Sequence, residues 1–255
     1  MPVRADVITT LRAAGCVFAE DEAELLISAA AGPAELEQMV ARRVAGLPLE
    51  HIVGFAEFCG RRIAVDPGVF VPRRRTELLV EEAARLLRPG SVVLDMCCGS
   101  GAAATVLAVQ GGIEVHATDI EPAAVACARR NVEPLGGHVY EGDLYEPLPD
   151  SLRGRVDVLV VNVPYVPTDA IALMPPEARL HEPVVALDGG PDGLDIARRV
   201  LAGAGDWLAP HGHLLLETSD EQADTACALF AATGLSPRLS HCDERGAVVV
   251  VGRRA

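Results

Sequence analysis

The sequence contains no lysine; all 22 basic residues of its 255 are arginine. That absence excludes the phosphate loop G-x-x-x-x-G-K-[ST], whose Lys reaches the nucleotide phosphates, and any enzyme that holds a carbonyl as a Schiff base on a Lys amine. Aromatic residues are scarce, 4% of the chain with a single Trp, so they form no stacking platform for nucleic-acid bases. The seven Cys include no C-x-x-C pair, which argues against a zinc site or disulfide framework and for free thiols in a reducing compartment. Apolar runs such as Ala102 to Val109 fall far short of the ~18 residues of a membrane span, and the start MPVRADVITT has no apolar signal core. The expectation is a cytoplasmic protein with no membrane partner.

Half of the residues are hydrophobic and 23% are charged, with a net charge of −14, the profile of an ordinary globular chain long enough for a large domain with a small one attached. The charge is unevenly spread. Residues 1–90 carry 11 Arg against 13 acids, a net of −2, and residues 91–255 carry 11 Arg against 23 acids, a net of −12. Nucleic-acid enzymes present broad basic surfaces to phosphates, so no stable nucleic-acid binding is expected of the acidic part. Arg42, Arg43, Arg61, Arg62, Arg73, Arg74 and Arg75 crowd one window. They are either a docking surface for an acidic partner or the solvated faces of helices and a hairpin.

Periodicity predicts three short helices in residues 1–45. Val7, Ile8, Leu11 and Ala14 share one face; Asp21 is placed to cap a second helix with Leu25, Leu26 and Ala29; Pro33 opens a third through Leu36, Met39, Val40 and Val44. The run EFCGRRIAVDPG reads as a hairpin about Gly60, followed by an extended Val69–Pro72 and a helix Thr76–Leu87 before Pro89-Gly90. From Ser91 strands alternate with helices: VVLDMC, IEVHATD, HVYEGD, VDVLVVNV and HLLLETS, ending in LSPRLSH and GAVVVVGR as neighbours. Continuous apolar strands in strand–helix units predict an α/β fold with a mostly parallel sheet covered on both faces and an antiparallel last strand. The expected division is a helical docking domain with its hairpin linker over residues 1–75 and a catalytic domain over 76–255.

In such sheets ligands bind beyond the carboxyl ends of the strands. The polar residues there are Asp95, Asp119, Asp143 and Asn162, at intervals of 24, 24 and 19. Cys97-Cys98-Gly99-Ser100-Gly101 forms a tight turn in which glycine lets the backbone approach a ligand, and Asp119 is placed to accept both hydroxyls of a ribose. Gly99-x-Gly101-x-x-Ala104 also satisfies the dinucleotide pattern, so these residues alone leave a nicotinamide dehydrogenase open. Two features point elsewhere. Asp143 ends the third strand where an adenine amino group would lie, and the fourth strand runs into Asn162-Val163-Pro164-Tyr165.

Together DMCCGSG, ATDIEP, EGDL and NVPY resemble the class I S-adenosylmethionine-dependent methyltransferases, NVPY being similar to their [DNS]-P-P-[YFW] amino-methylating motif. The flanking text ARRVAGLPLEHIVGFAEFCGRRIAVDPGVFVPRRRTELLVE and HEPVVALDGGPDGLD is similar to the HemK/PrmC type, the peptide chain release factor glutamine N5-methyltransferases, over nearly the whole chain. The resemblance implies a Rossmann-like class I methyltransferase domain with a seven-stranded sheet and a small N-terminal helical domain. It implies S-adenosyl-L-methionine as cofactor, S-adenosyl-L-homocysteine as product, and a release factor or related polypeptide as substrate. It assigns cofactor contacts to Asp95, Cys97, Cys98, Gly99, Ser100, Gly101, Asp119, Ile120, Asp143, Leu144 and Asn162. Catalysis is assigned to Asn162, Val163, Pro164 and Tyr165, with the Asn162 side-chain oxygen and the Val163 carbonyl accepting the two amide protons and Tyr165 packing on the carboxamide.

The chain departs from the family pattern in three places. NVPY has Val163 in place of a proline, removing the ring that fixes φ; Pro72-Arg73-Arg74-Arg75-Thr76-Glu77 replaces P-R-P-E-T-E; and Cys97 stands where glycine is common. These mark a divergent branch and leave two alternatives, an exocyclic-amine methyltransferase on nucleic acid and a cofactor-binding protein without catalysis. His211-x-His213 has no carboxylate or Cys at ligand spacing, so no metal is expected. Glu217 ends the fifth strand and borders the expected pocket.

Overall fold

The computed structural model describes residues 4–255. Four helices begin the chain: α1 (Arg4–Ala13), α2 (Ala19–Ala29), α3 (Pro33–Val44) and the single turn α4 (Leu49–Val53). Their apolar faces meet in a core of Val7, Leu11, Ala19, Ala23, Leu26, Leu36, Met39 and Ile52, separate from the cores beneath the sheet. The sequence places the α2 cap at Asp21, but the helix starts at Ala19 after Phe18, with no side-chain cap bond. Asp21 lies within the first turn, where its charge still complements the helix dipole.

The hairpin forms as the alternation predicts, β1 (Phe55–Phe58) pairing antiparallel with β2 (Arg61–Ala64). Its two turn residues, Cys59 and Gly60, have φ of 48° and 70°, the positive values of a type I′ turn. Phe58 and Ile63 are buried in the core shared with the following helix, α5 (Glu77–Ala84). That helix is shorter than the predicted Thr76–Leu87: Arg74–Thr76 is a 3-10 turn and the chain after Ala84 leaves the helix.

Then follow β3 (Val92–Met96), α6 (Ala102–Ala108), β4 (Glu114–Asp119), α7 (Pro122–Val132), β5 (His138–Glu141) and β6 (Val156–Val161). After a long irregular stretch holding α8 (Pro176–His181) come α9 (Asp195–Trp207), β7 (Leu208–Thr218), α10 (Ala223–Ala232), β8 (Leu235–Cys242) and β9 (Ala247–Arg254). The seven-stranded sheet has the order β5-β4-β3-β6-β7-β9-β8. β3 to β7 pair in parallel, and β9 inserts antiparallel between β7 and β8. Val93, Val158, Val160 and Leu215 pack on one face and Leu94, Met96, Leu159 and Leu216 on the other, as expected of strands covered on both sides. The chain starts at β3, moves outward to β5 and returns to β6 on the other flank. The switch point therefore opens between the carboxyl ends of β3 and β6. Among the described residues no helix is long and apolar enough to cross a membrane.

Candidate active site

Beyond β3 the chain enters α6 through Cys97, Gly99 and Gly101, with φ of 58°, 55° and 74°. Glycine adopts this left-handed region freely, whereas a side chain such as that of Cys97 is strained there by about 1 kcal/mol. Gly101 has a steric reason besides: an added Cβ would lie 2.8 Å from Val132 Cγ2 and 3.1 Å from Ala128 Cβ, because α7 packs directly on the loop. Asp95 is buried and accepts the Ala104 N–H at 2.9 Å, capping the first turn of α6 from the sheet. Burial pushes its carboxyl up to about 7; the Ala104 bond opposes this and the nearby Asp119 charge adds to it. Asn131 of α7 joins loop to hairpin, donating to Ser100 O and Ala64 O at 2.9 Å each and accepting the Ala64 N–H at 3.0 Å.

The end of β4 meets the same loop. Asp119 accepts the Gly99 N–H at 2.8 Å through Oδ2 and the Glu121 N–H at 2.9 Å through Oδ1, and each oxygen keeps a lone pair for a ligand hydroxyl. Burial raises its pKa against those backbone donors. Ile120 and Asp143 line the cavity beside it. Asp143 Oδ2 is paired with Arg199 of α9 at 2.6 Å, a partner invisible in the local sequence. Leu144, with φ of 49°, follows it on the cavity wall. Burial, reinforced by Asp119, pushes the Cys97 and Cys98 thiols well up, which disfavours the reactive thiolate and suits small residues packed in a turn.

Across the switch point Asn162 follows β6, its Nδ2 donating to Thr76 Oγ1 at 3.3 Å. Val163 is buried in the core with Met96 and Leu194, while Pro164 and Tyr165 line the cavity. The Tyr165 hydroxyl donates to Glu217 Oε1 at 3.3 Å, Arg75 Nε lies 3.3 Å from the same oxygen, and the Arg75 guanidinium sits 5.4 Å from the Tyr165 ring centroid. Glu217 is 1% exposed and its Oε2 has no hydrogen-bond partner. Burial raises its pKa, opposed by the Thr76 hydroxyl against it, by Arg75 and by Tyr165. Burial first and the Glu217 charge second raise the Tyr165 hydroxyl, so it stays a donor.

The main chain of this motif is held from behind by residues 188–193. Gly189 donates to Val166 O at 2.9 Å, and Gln222 Nε2 donates to Tyr165 O at 3.0 Å and Asp192 O at 2.9 Å. A Cβ on Gly189 would lie 2.6 Å from Gly193 O and 2.7 Å from Pro164 O, and one on Gly193 would run into Tyr165 O and the Gln222 amide. Sequence reasoning missed Gln222, Arg199, Asn131 and Thr76. Thr76 stands in the Pro72–Glu77 segment without a role assigned to it there, and only contacts across the fold reveal the partners of all four.

Both groups open on one cavity of about 740 Å³, roofed by Met174, Pro175, Ala178, Val185 and Leu187. Buried Glu182 accepts Arg73 at 2.6 and 2.7 Å and the Val71 N–H at 3.1 Å, so the arginine loop is latched to the roof. Arg43 holds Glu22 at 2.6 Å and Glu177 of α8 at 3.2 Å, tying the helical bundle to it. Arg43, Arg73 and Arg75 thus pair with carboxylates of the same chain, of which Glu22, Glu182 and Glu217 are buried. His211 and His213 lie in β7 away from the cavity lining, and among the described residues no group of three or more His, Cys, Asp or Glu has a metal-holding arrangement.

The family model described as Methyltransferase small domain matches residues 60–177. The release factor glutamine methyltransferase of Geobacter sulfurreducens is 42% identical over 219 residues, 85% of this chain and 76% of its own. The 4-amino-L-phenylalanine/4-methylamino-L-phenylalanine methyltransferase of Streptomyces pristinaespiralis is 38% identical over 221 residues, 84% of this chain and 74% of its own. Among solved structures, a methyltransferase from Pyrococcus furiosus superposes with a TM-score of 0.59 at 18% identity, covering 86% of this chain and 99% of that one.

Proposed function

The chain belongs to the family of the release factor glutamine methyltransferases, S-adenosylmethionine-dependent enzymes with the Rossmann-like class I fold, and on that premise we propose that it methylates the side-chain amide nitrogen of a glutamine in a polypeptide, a peptide chain release factor. One observation carries this reading. Asn162 and Tyr165 face the same cavity as the Gly99–Gly101 loop and Asp119, so an acceptor amide and a cofactor fit end to end.

The residues present suit S-adenosylmethionine. The glycine turn admits a ligand against the backbone, Asp119 retains acceptor capacity for ribose hydroxyls, and Asp119 and Glu121 line the space, favouring a cation. When bound, the cofactor supplies an electrophilic methyl group on a sulfonium. An amide nitrogen is a weak nucleophile because its lone pair is delocalised, so the protein's task is placement. Asn162 Oδ1 and the Val163 carbonyl are the acceptors for the two amide protons, and the Tyr165 ring supports the flat carboxamide. No strong base is needed, since the nitrogen becomes acidic as the new bond forms.

A polypeptide is preferred to nucleic acid because residues 91–255 carry a net of −12. The Streptomyces pristinaespiralis relative supports a second reading, methylation of the amine of a small aromatic amino acid. Labelled-methyl transfer to release factors and to small aromatic amines, located by mass spectrometry, separates the two. The glutamine reading requires label on a glutamine that is lost with Asn162→Ala while cofactor affinity stays within a few-fold; label only on the small amine would overturn it.

A further inference from the structure

We propose that Arg199 is a positioning residue for the base of the cofactor: by taking one oxygen of Asp143 it fixes the other as the acceptor for the exocyclic amine of the adenine. The strand order says where the base lies. Across the carboxyl edge of the sheet β5, β4, β3 and β6 stand side by side, so Asp143, Asp119, the glycine turn and Asn162 follow one another along the cavity. A cofactor with its ribose at Asp119 and its methyl group toward Asn162 has its base at the β5 end. The wall there suits a flat heteroaromatic ring, with Ile120, Leu144 and Ile196 as apolar surface and Asp143 and Arg199 as the polar edge. Ile120 is 52% exposed, apolar surface that such a ring would cover.

Donors and acceptors give Arg199 its part. The turn after β5 is held by backbone bonds, the Gly142 N–H to Asp119 O and the Glu146 N–H to Asp143 O, both at 3.0 Å, so the Asp143 main chain is fixed. Arg199 Nη2 donates to Asp143 Oδ2 at 2.6 Å, while Oδ1 accepts no hydrogen bond from the described residues. A guanidinium only donates and an ionised carboxylate only accepts. The pair therefore spends one oxygen and keeps Oδ1 for a donor on the ligand, which the exocyclic amine is. With side chains 51% and 30% exposed, the ion pair adds little to stability; its effect is on the orientation of the carboxylate.

The inference rests on the cofactor and not on the acceptor, so it stands or falls apart from the glutamine reading. Calorimetry compares S-adenosyl-L-homocysteine with its 6-deamino analogue, whose purine carries hydrogen in place of the amine. Both ligands are titrated into the full chain and into Arg199→Met, Asp143→Ala, Asp143→Asn and the double variant Arg199→Met with Asp143→Asn. The wild type should prefer the amine-bearing ligand by about tenfold or more; Asp143→Ala should show no preference, and Arg199→Met should lose most of it. Asp143→Asn gives the sharpest reading. Arg199 takes the oxygen of the new amide, so the NH₂ turns to the base and the preference should invert toward the deamino analogue. Removing the cation as well frees the amide to present its oxygen, and the double variant should again favour the amine. A merely structural role for Arg199 would lower the affinity for both ligands equally and leave their ratio unmoved. A full wild-type preference in Arg199→Met, or a preference in Asp143→Asn that does not respond to loss of Arg199, would overturn the proposal.

Discussion

Asp119 accepts the Gly99 backbone N–H at 2.8 Å, so the carboxylate proposed to hold the ribose also fastens the end of β4 to the loop after β3. Replacing Asp119 with Ala should remove both functions and weaken S-adenosylhomocysteine binding by at least about tenfold, or roughly 1.4 kcal/mol. Asp119→Asn keeps an acceptor and should lose less. Calorimetry on the three proteins decides it, and equal affinity for Asp119→Ala would remove the ribose assignment.

Asp95 gives a pH dependence of stability. Its carboxyl is raised from the ordinary value of 3.8 to about 7 by burial, so the folded state favours the neutral form. The associated stability is present below about pH 4 and is lost as the pH rises to about 7, at up to about 1.4 kcal/mol per unit, and is constant above. Asp95→Asn keeps an oxygen for the Ala104 N–H and cannot ionise. Denaturant unfolding without cofactor should show the wild type falling relative to Asp95→Asn across that window. Parallel curves would contradict it.

Gly193 has no room for a side chain and a φ of 76°. Gly193→Ala should cost about 2–3 kcal/mol through strain and displacement of the Tyr165 carbonyl. Turnover should fall further than stability alone explains, because the shifted carbonyl belongs to the NVPY motif. Thermal unfolding and kcat measured together test both statements; wild-type turnover would mean the 188–193 loop does not set the motif.

Arg43 and Glu22 are an ion pair with side chains 11% and 10% exposed. Removing the cation alone strands a nearly buried carboxylate, so Arg43→Met should destabilise by about 3 kcal/mol. Glu22→Gln added to Arg43→Met should restore part of the loss. Chemical denaturation of the single and double variants reads this out, and additive losses would refute the coupling.

Much of the fold is legible in single segments. The apolar strands β3, β4, β6 and β7 and their polar carboxyl ends stand out because each strand is covered on both faces and changes character only at the site. The hairpin is legible because Cys59-Gly60 interrupts two short alternating runs. Helix α9 is not legible in its segment: DIARRVLAGAGDW carries two glycines that lower helix propensity, and packing on the sheet overrides them. The single turn α4 gives too little sequence for a period. The start of α2 differs from the one the sequence suggests, because an acid in the first turn resembles a cap.

The sequence by itself determined the sheet architecture, the glycine turn, the acids at the strand ends and the NVPY motif, since each depends on residues close along the chain. Tertiary structure alone decided how they are held. Asn162 meets Thr76 across 86 positions and Tyr165 meets Glu217 across 52. Three arginines of the window, Arg43, Arg73 and Arg75, are shared among Glu22, Glu177, Glu182 and Glu217. Desolvation drives that division: a carboxylate buried by packing must find a cation or a donor within reach, and only the folded chain determines which one lies there.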